Sequence, residues 1–117
     1  MIKVSVTRSK QGVEEITISG HARAAEHGKD IVCAAVSGIS LGLLNSVVHL
    51  LGFKPDVSQA GKEGGFLRWS LHQLDDQSLH EKQQLLAESM IISLVAIEQQ
   101  YGKFITVRDS KLQGGAE

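Results

Sequence analysis

A single cysteine, Cys33, sits in the segment GKDIVCAAVS (Gly28 to Ser37), twelve residues after His21, which closes the strand-like run ITISGHA (Ile16 to Ala22). A thiol near the start of a helix and an imidazole delivered from the end of a strand are the minimum equipment of a cysteine nucleophile and its base. The thiolate is the reactive form, and a free thiol with a pKa near ~8.5 is mostly protonated at neutral pH, so its surroundings must favour ionisation. With Asp30 as the expected N-cap, Cys33 lies three residues into a helix, where unpaired N–H groups and the helix dipole favour an anion. Those amides, that of Cys33 in particular, could also receive the oxyanion of a tetrahedral intermediate. His21 would accept the thiol proton and later protonate the leaving amine.

Each of these residues also has a plainer role. A lone cysteine is often a small buried hydrophobe, and a histidine after a strand is often a turn residue. Asp30 is read as a cap whose carboxylate accepts helix N–H bonds, and so as a site organiser rather than a third catalytic member. Ser37, one turn after Cys33 on the same helix face, either lies near the thiolate or substrate or bonds back to the carbonyl of Cys33. The small, polar segment from Ala22 to Gly28 joins the two candidate residues and reads either as a flap over substrate or as an ordinary surface loop. A metal site built from His21, His27, Asp30 and Cys33 lacks a recognised zinc spacing, and no metal or cofactor is expected.

The elements that must position these groups follow from periodicity. Alternating Ile2, Val4 and Val6, then Ile16 and Ile18, around the turn-prone Lys10-Gln11-Gly12, predict a β-hairpin. A helix is expected from Asp30 to Gly52, apolar on nearly every face of its first half and therefore covered on more than one side, which points to a homodimer. A second hairpin is expected from Val57 to Ala60 and from Gly65 to His72, with Leu67, Trp69 and Leu71 inward. Ser78 and Glu81 fit a capping box for a second helix carrying Leu86, Met90, Leu94, Ile97 and Tyr101 on one stripe. A last strand runs from Phe104 to Arg108. The order β-β-α-β-β-α-β predicts an α+β two-layer sandwich, two helices on one face of a mostly antiparallel sheet. Residues 1–109 form one domain and 110–117 a flexible tail. His49, His72 and His80 are read as surface or interface residues.

The 117 residues suffice for one core, and 12 Lys+Arg against 13 Asp+Glu leave no basic footprint for nucleic acid. The apolar stretch from Ile31 to Leu51 is broken by Ser37, Ser40, Asn45, Ser46 and His49, which argues against a membrane span. One cysteine cannot form an internal disulfide, and the opening MIKVSVTRSK is strand-like rather than a leader. A cytoplasmic, reducing setting is expected.

SGHA followed by GKDIVCAAVS, a long apolar helix, a hairpin containing Glu63-Gly64-Gly65 and a late helix ending in IEQQYG resembles the ribosomal-processing cysteine proteases called Prp, over roughly Met1 to Arg108. The resemblance implies a cytoplasmic, dimeric endopeptidase that removes the N-terminal extension of large-subunit ribosomal protein twenty-seven, cutting after an aromatic residue and before a small one. It places the family's catalytic cysteine and histidine on Cys33 and His21, and its Asp and Ser on Asp30 and Ser37. It also implies a flexible loop over the site, where His27 stands at a position that is commonly aromatic in the family. The rival reading is a non-catalytic ribosome-assembly or protein-binding module on the same fold, in which Cys33 merely packs.

Overall fold

The computed structural model describes residues 1–20, 29–60 and 65–111, and within these the side chains of Lys29 and Asp30 are not described. Strands β1 (Ile2–Ser9) and β2 (Gly12–Ser19) lead to helix α1 (Lys29–Ser46), which continues as a short π-helical turn, Val47–Leu51. Strands β3 (Asp56–Gln59) and β4 (Phe66–Ser70), helix α2 (Gln77–Tyr101) and strand β5 (Ile105–Arg108) complete the order. The five strands form one sheet in the order β3-β4-β2-β1-β5, with β1 and β5 parallel and every other pair antiparallel. The architecture is thus α+β, a mixed sheet covered by two helices.

Alternation builds the core face of the sheet. Ile2 and Val4 from β1, Val13, Ile16 and Ile18 from β2, Leu67 and Trp69 from β4, and Ile105 and Val107 from β5 are buried in one cluster with residues of both helices. Val13 and Ile16 are three apart and could not share a face in a regular strand. An irregularity between Thr7 and Arg8 resolves this, because Thr7 pairs with Glu15 while Arg8 pairs with Val13, leaving Glu14 as the extra residue of a bulge. Its carbonyl is not wasted, since it accepts the N–H of Leu71 at 2.9 Å.

Several expectations need correction. Helix α1 begins at Lys29, so Asp30 lies inside the first turn rather than at the cap. The cap of α2 is Asp76, whose side chain accepts the N–H of Leu79 at 3.0 Å, and Ser78 falls within the helix. An aspartate two residues upstream meets the same requirement as the expected serine. The buried stripe of α2 runs through His80, Gln83, Ala87, Met90, Ile91 and Leu94, while Tyr101 is exposed. His80 is buried, not at the surface: its Nδ1 accepts the N–H of Leu74 and its Nε2 faces the carbonyl of Gln11, both at 3.3 Å. It ties the β1–β2 turn to the start of α2.

At the far end of β1, Arg8 donates to Asp109 at 2.7 and 2.8 Å and to Glu88 at 2.7 and 3.0 Å. The guanidinium holds both carboxyls below the usual carboxylate range, and the carboxylates in turn raise the pKa of Arg8. The side chain of Asp109 has no solvent exposure, so the first and last strands are joined by a charge pair that water does not reach on the Asp109 side. Residues 112–117 of the expected tail lie outside the described residues.

Candidate active site

Helix α1 turns Val32, Val36 and Leu44 into the core, as the π-helical turn does Val47, and one flank of α1 then borders the open end of the sheet. There Cys33, half-buried, lines a cleft of about 280 Å³ together with Ser37 and Ser40 from the same helix. The opposite wall comes from Ile2, Ile18 and Gly20 at the ends of β1 and β2, and from Gln59, Ala60, Gly65 and Phe66 on the second hairpin. Packing the helix across the sheet end thus converts positions far apart in the chain into one concavity.

Gly20 explains how the end of β2 is aimed. Its φ is +90°, and a Cβ there would overlap the backbone carbonyl oxygen of Met1; only glycine satisfies both demands. Its N–H donates to the carbonyl of Gly65 at 2.9 Å. The strand therefore leaves the sheet at a position held from both sides, on the cleft wall facing Cys33. His21 is the next residue in the chain, and it lies outside the described residues, as do Ala22 and Gly28 at the ends of the expected flap.

The helix start modifies the electrostatic expectation. With Lys29 as the first helical residue, Cys33 is the fifth, and the N–H(i) to C=O(i−4) ladder assigns its amide to Lys29. The unpaired donors are those of the first turn, one turn before the thiol. The helix dipole, which falls off within that turn, acts on Cys33 more weakly than the sequence reading supposed.

Ser37 and Ser40 separate clearly. The buried hydroxyl of Ser40 donates to the carbonyl of Val36 at 2.7 Å and is committed to the helix. Ser37 is exposed on the cleft and makes no side-chain hydrogen bond among the described residues. The choice left open for Ser37 is thereby resolved away from back-bonding to Cys33. The contributions of Gln59, Ala60 and Phe66 were not anticipated, and the only available signal was that a glycine-flanked hairpin had to close against some other element.

Comparison with known proteins follows the same lines. A family model described as Cysteine protease Prp matches residues 1–106. The ribosomal processing cysteine protease Prp of Bacillus subtilis (strain 168) is 39% identical over 102 residues, covering 86% of this chain and 90% of that protein. Its counterpart in Staphylococcus aureus (strain NCTC 8325) is 33% identical, covering 90% and 95%. Among solved structures, the essential ribosomal processing protease Prp from S. aureus in complex with a substrate peptide superposes with a TM-score of 0.79 at 29% identity, covering 92% of this chain and 98% of that one. A Streptococcus mutans protein superposes at 0.81 with 31% identity, covering 92% of each.

Proposed function

This chain belongs to the cysteine protease Prp family, and from that premise we propose that it removes the N-terminal extension of large-subunit ribosomal protein twenty-seven, cutting after an aromatic residue and before a small one. The observation that carries the reading is the cleft itself, with Cys33 on one wall and Gly20, the residue before His21, on the other. A relative from S. aureus is known in complex with a substrate peptide and with a covalently linked product peptide, in keeping with a nucleophile that opens onto a peptide-sized groove.

In the proposed reaction His21 takes the proton of the Cys33 thiol, and the Sγ thiolate attacks the scissile carbonyl. Collapse of the tetrahedral intermediate breaks the C–N bond, His21 returns the proton to the leaving amine, and a thioester remains on Cys33. Water, activated by the same imidazole, hydrolyses the thioester and restores the thiol. Ser37 offers a free hydroxyl to the substrate backbone, and Asp30 steadies the helix start with a negative charge in the first turn. Nucleophilic attack and proton transfer here call for no metal or cofactor.

The working unit in this reading is a homodimer. From Ile31 to Leu51 the chain is long and apolar enough to cross a membrane by length and composition, yet its inward face belongs to the core. The outward face exposes Ile31 and Leu50 beside Gly38 and Gly42, where an added Cβ would meet open space. An apolar face relieved by two glycines suits close packing against a second copy of the helix. The cytoplasm, where a free thiol persists, is the proposed setting.

The test is mass spectrometry of the host's ribosomal protein twenty-seven, made with its N-terminus intact, after incubation with wild-type protein and with Cys33→Ala. One discrete N-terminal loss, with wild type alone, is the expected result. No loss with either protein would overturn the substrate assignment.

A further inference from the structure

Next to the Cys33 cleft lies a second hollow of about 190 Å³, and the two share a wall, since Leu41 and Gln59 line both. One flank of α1 thus borders a continuous groove from Cys33 to Val48, with Leu44, Pro55 and Val57 forming an apolar lining at its distal end. The other bank is β3, an edge strand of the sheet. The outward backbone groups of β3 make no hydrogen bond among the described residues. The opposite edge of the sheet is protected differently, because the Glu98 carboxylate accepts the N–H of Val107 on β5 at 2.9 Å. Open strand edges are usually blunted or covered. Here the uncovered one runs alongside the candidate active site.

Resting on the endopeptidase reading, we infer that the substrate lies extended in this groove, pairing its backbone with β3 and seating one large apolar side chain in the second hollow. Strand addition of this kind draws affinity from main-chain bonds and selectivity from a pocket that takes alternate side chains. The position follows from lengths. Cys33 to Leu44 spans eleven helical residues, roughly 16 Å at 1.5 Å each. An extended chain advances about 3.3 Å per residue, so the seated side chain belongs to the substrate residue about five positions from the scissile bond. Asn45 and Lys54 are exposed while Leu44 is buried and Pro55 and Val57 are half-buried, which favours a long aliphatic or aromatic side chain over a small one.

Two fluorescein-labelled peptides test this, each with six residues on either side of a Phe–Ala bond, one carrying Leu and the other Ser at the fifth position on both sides. Anisotropy with the Cys33→Ala protein reads binding without cleavage. The Leu peptide is expected to bind roughly tenfold tighter, the worth of one buried apolar side chain. Val48→Asp, an exposed change in the second hollow and outside the Cys33 cleft, should erase that preference and leave the Ser peptide's affinity unchanged. Equal binding of the two peptides, or weakening of both by Val48→Asp, overturns the groove assignment. Cleavage by the protein with Cys33 intact is scored separately. If neither peptide is cut while the tenfold preference persists, the groove stands and the endopeptidase reading falls; if both are cut at equal kcat/KM with equal binding, the reverse holds. Because the contrast lies in the peptide as well as in the protein, it does not depend on how any variant folds.

Discussion

Replacing Gly20 by alanine tests whether the aim of the strand end governs the chemistry. The residue has φ +90°, and its new Cβ would collide with a backbone carbonyl, that of Met1, rather than with a side chain able to swing away. Forcing alanine into such a conformation costs about 1–3 kcal/mol. Unfolding entropy near 2.1 cal/mol/K per residue gives roughly 0.25 kcal/mol/K for 117 residues. The thermal midpoint should therefore fall by about 4–12 °C. The collision is relieved only by moving the strand end, which disturbs the bond from Gly20 to the carbonyl of Gly65 and shifts the cleft wall that faces Cys33. Misplacement by about 1 Å can cost on the order of 10²-fold in rate, so kcat/KM on a peptide substrate, measured well below the lowered midpoint, should fall by about that factor. Gly12→Ala is the internal control. Its φ is +114°, equally strained, but its Cβ would meet only the flexible end of Gln84 at the other end of β2. It should lower the midpoint while holding kcat/KM to within about twofold. A Gly20→Ala protein with wild-type kcat/KM, or a Gly12→Ala protein equally impaired in catalysis, would refute the reasoning that the Gly20 strand end sets the geometry of the cleft.

Four further outcomes are expected. Arg8→Met removes the guanidinium that bonds twice to the unexposed Asp109 carboxylate and should cost about 1.5–3 kcal/mol in chemical denaturation at neutral pH. Arg8 holds the Glu88 and Asp109 carboxyls low, so their contribution is complete above the unfolded value near ~4 and is lost as pH falls through the lower folded values; the gap between wild type and variant should close there, and a gap independent of pH would contradict the pairing. Asp76→Ala should destabilise by about 1 kcal/mol through the lost cap, with unchanged activity at 25 °C; no shift in a urea melt would reassign the N-cap. Ser37→Ala should raise KM more than it lowers kcat, and a melting curve that drops instead would make the hydroxyl structural. On the proposed dimer, Gly38→Leu should halve the mass found in sedimentation equilibrium, whereas a monomeric wild-type protein would overturn the dimer and an unchanged dimer mass would take the interface off this face.

Much of the fold was legible because the residues involved answer to local rules. Period-two alternation located both hairpins, and Leu67, Trp69 and Leu71 point inward as their spacing requires. The inward turn of Val13 was not legible, since a bulge changes the parity of a strand without leaving a distinctive residue at the site. The cap of α2 was misplaced for a related reason, as Asp76 and Ser78 are both good caps and only the backbone geometry at Asp76 decides between them. Cys33 stood out because it is the sole cysteine, and His21 because it follows a strand-like run in the sequence. The rest of the cleft did not stand out, since Leu41, Gln59 and Phe66 acquire a role only when α1 is laid across the sheet end. His80 shows the converse, a polar residue whose burial depends on a turn carbonyl, that of Gln11, sixty-nine positions away.

The pairing of β1 with β5 bears on how the chain acquires activity during its own synthesis. Ile2 aligns with Ile105, and Arg8 binds a carboxylate 101 positions later. Contacts of such long range bear a loop-closure cost before they return any stability, and they slow folding. Until residues 105–109 have left the ribosome, β1 has an open edge, the core lacks Ile105 and Val107, and Arg8 lacks one of its two acids. Since Ile2 also lines the cleft, the wall facing Cys33 is not set until that last strand docks. A nascent chain would thus remain catalytically silent until β5 has emerged and docked, and a truncation that removes β5 should behave as an unfolded, edge-exposed polypeptide rather than as a weakened protease.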